Sequence, residues 1–313
     1  MPDDKATIRD LRLRTKELER LVERQSRRIE QQSRAKYKLP RSPRRASASG
    51  VGFRVIVPDT HGCYADEAAL AAFLGDLEVL APKVREIVLL GDHLDCGGFL
   101  ALHHTIGYVA EAAYSFEDDK NATNILLDKI QELCPKAVIH YLEGNHERRI
   151  ERWCVTQTLA HQKDAECLRQ MFSPESVLHL KKRNIAYYRQ GVFYDGLRIP
   201  GTIRLGRCHF THGVRTGRNA ARETLSDFGG NVVFGHTHTA ASATTSTVKG
   251  GGIGSWCPGA LCRLQPLWNH TKPTSWNHGY AIQVVRKDGD FMYVHVPIIE
   301  GRSYLVGLGA LAG

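Results

Sequence analysis

The chain is 313 residues long and 42% hydrophobic, enough for one large core in one or two domains. It carries 42 Lys+Arg against 33 Asp+Glu, but residues 1–50 alone hold 15 against 7, so the body is nearly neutral and the basicity belongs to an N-terminal arm. No stretch approaches 18 apolar residues and MPDDKATIRD has no apolar core, which argues against a membrane partner and a secretory signal. None of the eight cysteines forms a CxxC pair, which argues against a zinc ribbon and for a cytoplasmic, reduced chain.

In chain order, residues 5–36 read as one helix. Ile8, Thr15, Val22 and Ile29 fall seven apart, and Leu11, Leu18, Gln25 and Gln32 form the matching series. This heptad seam, apolar at first and polar towards its end, predicts a weak coiled coil and homo-oligomerisation through the helix. A helix packed on the body, or one that frays alone in water, is the alternative. Segment 1–36 is therefore expected as a basic helical region, and 37–50 (YKLPRSPRRASASG) as a flexible linker. A basic arm over residues 5–45 suits phosphate-bearing partners, nucleic acid above all, with a solvated tail as the bland alternative.

The folded domain is expected over 51–313. Phe53–Pro58, Glu86–Leu90 and Ala137–Leu142 are apolar runs that alternate with helical spacing over Asp66–Leu77 and Asn121–Cys134. Asp66 is the expected N-cap. Continuous apolar runs between helices predict buried strands in an α/β layer structure. Later strands are expected at Cys208–Thr211 and Val232–Phe234, with a closing hairpin over 279–304 that turns at Lys287-Asp288-Gly289-Asp290. Residues 150–183 are expected to form a helical insert over the site.

The unusual residues gather where strands end, which is where such folds place their chemistry. The segments are Pro58-Asp59-Thr60-His61-Gly62, Gly91-Asp92-His93-Leu94-Asp95, Gly144-Asn145-His146-Glu147, Thr211-His212-Gly213 and Gly235-His236-Thr237-His238. Each carries a glycine, which lets the backbone turn sharply beside a candidate ligand. A lone histidine of this kind means little, whereas five such segments in order form a ligand set. Imidazole with carboxylate and amide oxygen suits Mn, Fe, Zn, Ni or Co, with Mg disfavoured. Two divalent metal ions clamp an in-line displacement at phosphorus and acidify a shared water, giving a metal-bridging hydroxide.

These five segments resemble the calcineurin-like metallophosphoesterase superfamily, whose pattern is D-x-H, G-D-x-x-D, G-N-H-[ED], H and G-H-x-H. The resemblance covers about residues 52–300. It implies a two-sheet β-sandwich flanked by helices, one metal site from Asp59, His61, Asp92 and His238, and a second from Asp92, Asn145, His212 and His236. It places His146 beside the scissile phosphate as a general acid or charge stabiliser, oriented by Asp95. The serine/threonine protein phosphatase branch has arginines where this chain has Cys96 and Glu143. Gly144–Arg149 look more like the phage and prophage type.

Arg215 and Arg218, in the loop after His212, are the candidates to replace that missing phosphate clamp, against the reading of a solvated loop. His93 is expected in a supporting or exposed place, and His209 as structural. Trp256, Trp268 and Trp276 fall in a Gly/Pro-rich stretch, 250–278, and are expected to pin a loop rather than to stack a base. The leading function is a metal-dependent phosphodiesterase acting on nucleic acid. The alternatives are a phosphomonoesterase for nucleotides or phosphoproteins, and a non-catalytic nucleic-acid-binding protein that works through the arm.

Overall fold

Apolar runs bounded by glycine or proline become the inner strands, and the amphipathic stretches between them become covering helices. The computed structural model describes residues 12–27, 51–96, 115–158, 162–246, 248, 251–266 and 273–305. The chain divides into two units, Met1–Ala48 and Ser49–Gly313. In the first, residues 12–27 form helix α1 with every side chain exposed; Leu18 and Val22 of the seam are each 62% exposed. The rest of the expected helix 5–36 and the linker 37–50 lie outside the described residues.

The second unit begins with β1 (Gly52–Val57), α2 (Glu67–Leu80), β2 (Val84–Leu89), α3 (Phe116–Leu133) and β3 (Val138–Leu142). Asp66 caps α2 as expected, its Oδ1 accepting the Ala69 N–H (2.9 Å). A capping box of Ser115 and Asp118 starts α3. The 150–183 region is helical: α4 (Arg148–Gln157), α5 (Gln162–Phe172) and one turn at Pro174–Val177. Next come β4 (Ala186–Tyr188), β5 (Thr202–Leu205), β6 (Cys208–Thr211), α6 (Ala220–Phe228), β7 (Val232–Phe234), β8 (Ala241–Ser246) and β9 (Gly252–Cys257). The hairpin of β10 (Gly279–Val285) and β11 (Phe291–Ile299) turns where expected, with β12 (Arg302–Ser303) beside it. Trp256 lies in strand β9 rather than in a loop.

The strands form a seven-stranded sheet, β12-β11-β10-β1-β2-β3-β4, and a five-stranded sheet, β5-β6-β7-β9-β8. Strands β1 to β4 run parallel, as do β6, β7 and β9. Side-chain alternation splits β1 between two cores. Val55 and Val57 pack with Phe73 and Leu77 of α2 and Leu127 and Ile130 of α3. Ile56 packs with Val88, Leu90 and Leu142 against Ile203, Phe210 and Val233 of the other sheet. Helix α6 covers the outer face of the second sheet through Ala220 and Ala221. The result is the expected sandwich of two sheets flanked by helices.

The two faces of α2 give a direct check of this packing. Leu77 is fully buried, whereas Val79 two residues on is 65% exposed. Leu77→Ala is expected to lower the free energy of unfolding in urea by about 2–5 kcal/mol, and Val79→Ala by less than about 0.5 kcal/mol.

Candidate metal centre and substrate cavity

The parallel strands β1, β2, β3, β6 and β7 all end at one rim of the sandwich, and the five segments follow them there. Asp59, His61, Asp92 and His238 offer donor atoms within 4.8 Å of one another, and so do Asp92, His212 and His236. Asn145 joins the second group, its Oδ1 lying 2.9 Å from His212 Nε2. Asp92 belongs to both groups.

The backbone is strained to achieve this. His61, Asp92, His236 and His238 all have left-handed φ, between 52° and 69°. Such residues cost on the order of 1–3 kcal/mol each and persist only where their surroundings over-determine them. Glycines give the close approach: a Cβ at Gly144 would collide with Asp92 Oδ1, and one at Gly235 with Asp59 Oδ1.

One carboxylate holds the rim together. Glu147 is 1% exposed and accepts five hydrogen bonds: from the N–H groups of Asp92 (3.0 Å), His93 (2.8 Å), Leu94 (3.1 Å) and Gly144 (2.9 Å), and from the Tyr141 hydroxyl (2.8 Å). Burial and the charge of Asp92 push its pKa up to about 7. The His146 N–H completes the join by donating to Asp92 Oδ1 (2.8 Å).

Hydrogen bonds also set which imidazole nitrogen faces inward. His212 Nδ1 lies 2.9 Å from the Leu90 carbonyl oxygen, so Nδ1–H donates there and Nε2 is left towards Asp92 (3.2 Å). His61 Nδ1 bonds Asp95 Oδ1 (2.9 Å), leaving its Nε2 3.1 Å from His238 Nε2. His238 Nε2 also lies 3.0 Å from Asp59 Oδ2. Metal-ligating histidines are oriented in this way, with the second nitrogen tied to a carbonyl or carboxylate.

The electrostatics fit a cation at this point. Burial lowers His61 below its ordinary value and His236 to about 4, so both are neutral, as ligands must be. Burial alone would raise Asp59 and Asp92. The charge and hydrogen bond of His238 instead bring Asp59 to about 2, and His212 and His146 hold Asp92 well below the carboxylate range. Against its own burial, His212 is raised to about 9 by Asp92. Among the described residues no Lys or Arg pairs with Asp59 or Asp92. Two buried carboxylates that only imidazoles, and no Lys or Arg among the described residues, are placed to neutralise form a donor set for divalent metals.

His146 and Asp95 lie beside this cluster. His146 Nδ1 bonds the Asp95 carbonyl oxygen (2.8 Å), with Asp95 Oδ1 at 3.1 Å. Asp95 thus serves His61 and His146 together, beyond the expectation from sequence. Arg149 was not singled out from its neighbours in the sequence. Its guanidinium donates to His146 Nε2 (3.0 Å) and to the Asp95 carbonyl oxygen (3.1 Å), while Arg148 and Arg152 are exposed. The signal for it was helical spacing, three residues after His146.

The centre opens into a cavity of about 660 Å³ lined by His146, Asn145, Arg218 and Trp276 among others. Arg218 therefore reaches the cavity. Arg215, expected beside it, pairs with Asp227 instead (2.8 and 2.9 Å) and does not line the cavity. His93 is buried on the Thr60 hydroxyl (3.0 Å), and His209 bonds the Asn231 carbonyl oxygen (3.0 Å), a structural place. Among the described residues, none from 150–183 lines the cavity, so the insert lies elsewhere than expected: Ile150, Cys154, Leu168 and Leu178 pack into the first core. Trp276 packs on His238 with ring centroids 4.1 Å apart, whereas Trp268 lies outside the described residues. Glu143, which stands where the serine/threonine protein phosphatase branch has an arginine, is buried and accepts from the Tyr187 hydroxyl (2.9 Å) and the Gln190 N–H (2.7 Å).

The calcineurin-like phosphoesterase family model matches residues 55–240, more than half of the chain. The chain belongs to the calcineurin-like phosphoesterase family. No curated protein matches it. Members of this family are metal-dependent hydrolases of phosphate esters, and the buried His/Asp cluster of this phosphoesterase fits metal binding. The match ends near β8, while the sheets are completed by β9 to β12. No helix among the described residues is long and apolar enough to cross a membrane.

Replacing Glu147 with Gln sets an amide NH₂ against backbone N–H donors. Glu147→Gln is expected to lower stability by about 1–3 kcal/mol, read by denaturant unfolding, and to reduce bound metal, read by elemental analysis.

Proposed function

We propose that this phosphoesterase is a dinuclear phosphodiesterase that acts on nucleic acid. One ion would be held by Asp59, His61, Asp92 and His238, and the other by Asp92, Asn145, His212 and His236. The observation that carries this reading is the convergence of Nε2 atoms on two buried carboxylates, with the Nδ1 atoms of His61 and His212 tied away from the centre. The donor set favours Mn, Fe, Zn, Ni or Co over Mg. When bound, such ions act as Lewis acids on phosphoryl oxygens and lower the pKa of water.

The chain's own residues supply the rest. Asp95 and Arg149 hold the His146 ring at the cavity edge; when an incoming phosphate draws the Arg149 guanidinium off Nε2, that nitrogen takes up a proton from water and gives it to the leaving oxygen. Arg218 attracts the phosphate. The basic arm motivates the nucleic-acid reading, and its seam, with Leu18 and Val22 exposed, motivates self-association through the helix. Eight free cysteines fit a reducing, cytoplasmic setting.

Metal-loaded protein is expected to hydrolyse bis-(p-nitrophenyl) phosphate; activity on the monoester alone overturns the diesterase reading. His146→Ala should keep its metal while kcat falls roughly 10²–10⁴-fold. Asp92→Asn should lose both metal and activity. An emptied site in His146→Ala would refute its role. Arg215→Ala, which removes only an exposed ion pair, should change kcat/KM by less than about twofold.

Deleting residues 1–45 is expected to leave hydrolysis of this small substrate intact while changing oligomeric state or salt-sensitive polyanion binding, read by light scattering and polynucleotide retention.

A further inference from the structure

A volume of about 660 Å³ lies within the roughly 300–1,000 Å³ of small-molecule sites and exceeds what one phosphoryl group needs. Most of the cavity therefore receives the organic part of the ester. Its carboxylates, Asp92 and Asp95, stand at the metal end. The wall beyond carries two cations, Arg218 and Arg263, two rings, Tyr64 and Trp276, and the hydroxyl-bearing Thr239 and Ser275.

This wall is built rather than incidental. The Trp276 indole stands edge-on to His238, centroids 4.1 Å apart at 78°, so the ring has a set position relative to the metal centre. The Arg263 guanidinium lies over the Tyr64 ring at 5.9 Å. Main-chain bonds stitch the wall to the ligand loops: Leu261 N–H donates to the Asp59 carbonyl oxygen (2.9 Å), Arg263 N–H to that of Tyr64 (2.8 Å), and Asn277 N–H to that of His238 (3.0 Å). A ligand that matches it has a planar ring, hydroxyls and negative charge besides the scissile phosphate.

We propose that the cavity is a nucleoside subsite. It takes one unpaired nucleotide, with its phosphate at the metal centre, its base against Trp276 and the Arg263 guanidinium that lies over Tyr64, and an adjoining phosphate beside Arg218. A base still paired in a duplex cannot present its face to that wall, so the substrate is single-stranded or a small nucleotide. This inference rests on the phosphoesterase reading and names the substrate class of the same site.

The test uses the full chain loaded with Mn²⁺ and measures inhibition of bis-(p-nitrophenyl) phosphate hydrolysis by AMP, ribose 5-phosphate and a phosphoserine peptide. AMP is expected to inhibit at least tenfold more tightly than the other two. Arg263→Ala and Trp276→Leu should each shrink that gap below threefold, with metal content measured on each variant because Trp276 touches His238. Equal inhibition by AMP and ribose 5-phosphate, a phosphopeptide as potent as AMP, or an AMP preference that survives both substitutions overturns the subsite. AMP binding is read independently through quenching of tryptophan fluorescence, which Trp276→Phe should diminish. Quenching without any diester hydrolysis would sink the proposed activity and leave the subsite standing; hydrolysis without AMP preference or quenching would do the reverse.

Discussion

The site depends on a buried carboxyl group that stands outside the metal-donor clusters. Glu147 lies at 1% exposure between the loops that follow β2 and β3 and gathers donors from both. An isolated carboxylate there would be intolerable in the low-dielectric interior. Its five donors make it tolerable and in doing so fix the register of Asp92 against Asn145. That join, with the His61 N–H donating to the Asp92 carbonyl oxygen (2.9 Å), over-determines the left-handed turn at Asp92.

The sandwich provides the other half of the placement. Strands from both sheets deliver their carboxyl ends to one rim, so His212 and His236 from the second sheet meet Asp59 and Asp92 from the first. Asp95 links ligand to chemistry, since one carboxylate fixes His61 and lies against His146. A loss at Asp95 would disturb two sites through one group, and effects within such a network are not additive.

Beyond the centre, the division of charge decides what the cavity suits. Negative groups stand at the metal end, while the outer wall carries Arg218 and Arg263, the latter held over the Tyr64 ring with its N–H bonded to the Tyr64 carbonyl oxygen. Arg215 belongs to no part of it, because Asp227 lies close enough to capture its guanidinium at the surface. Arg218, three residues further along the same loop, lines the cavity instead.

The sequence by itself determined the family, the layered α/β character, the inner strands and the set of convergent side chains. These features rest on local signals: apolar runs of strand length, caps such as Asp66, and short motifs whose residue types are dictated by metal chemistry. Only the tertiary structure decided which residues sit around that set. Glu147 has no role legible in its motif, because three of its donors, the N–H groups of Asp92, His93 and Leu94, come from a segment more than fifty residues away. Arg149 and Trp276 gained their roles through contacts with His146 and His238, and Arg215 lost its expected one to Asp227. Helix 148–157 was legible as a helix, but not the core it would pack on. Periodicity and motifs encode what a residue can do; the partner it meets is set by long-range packing, which no local pattern carries.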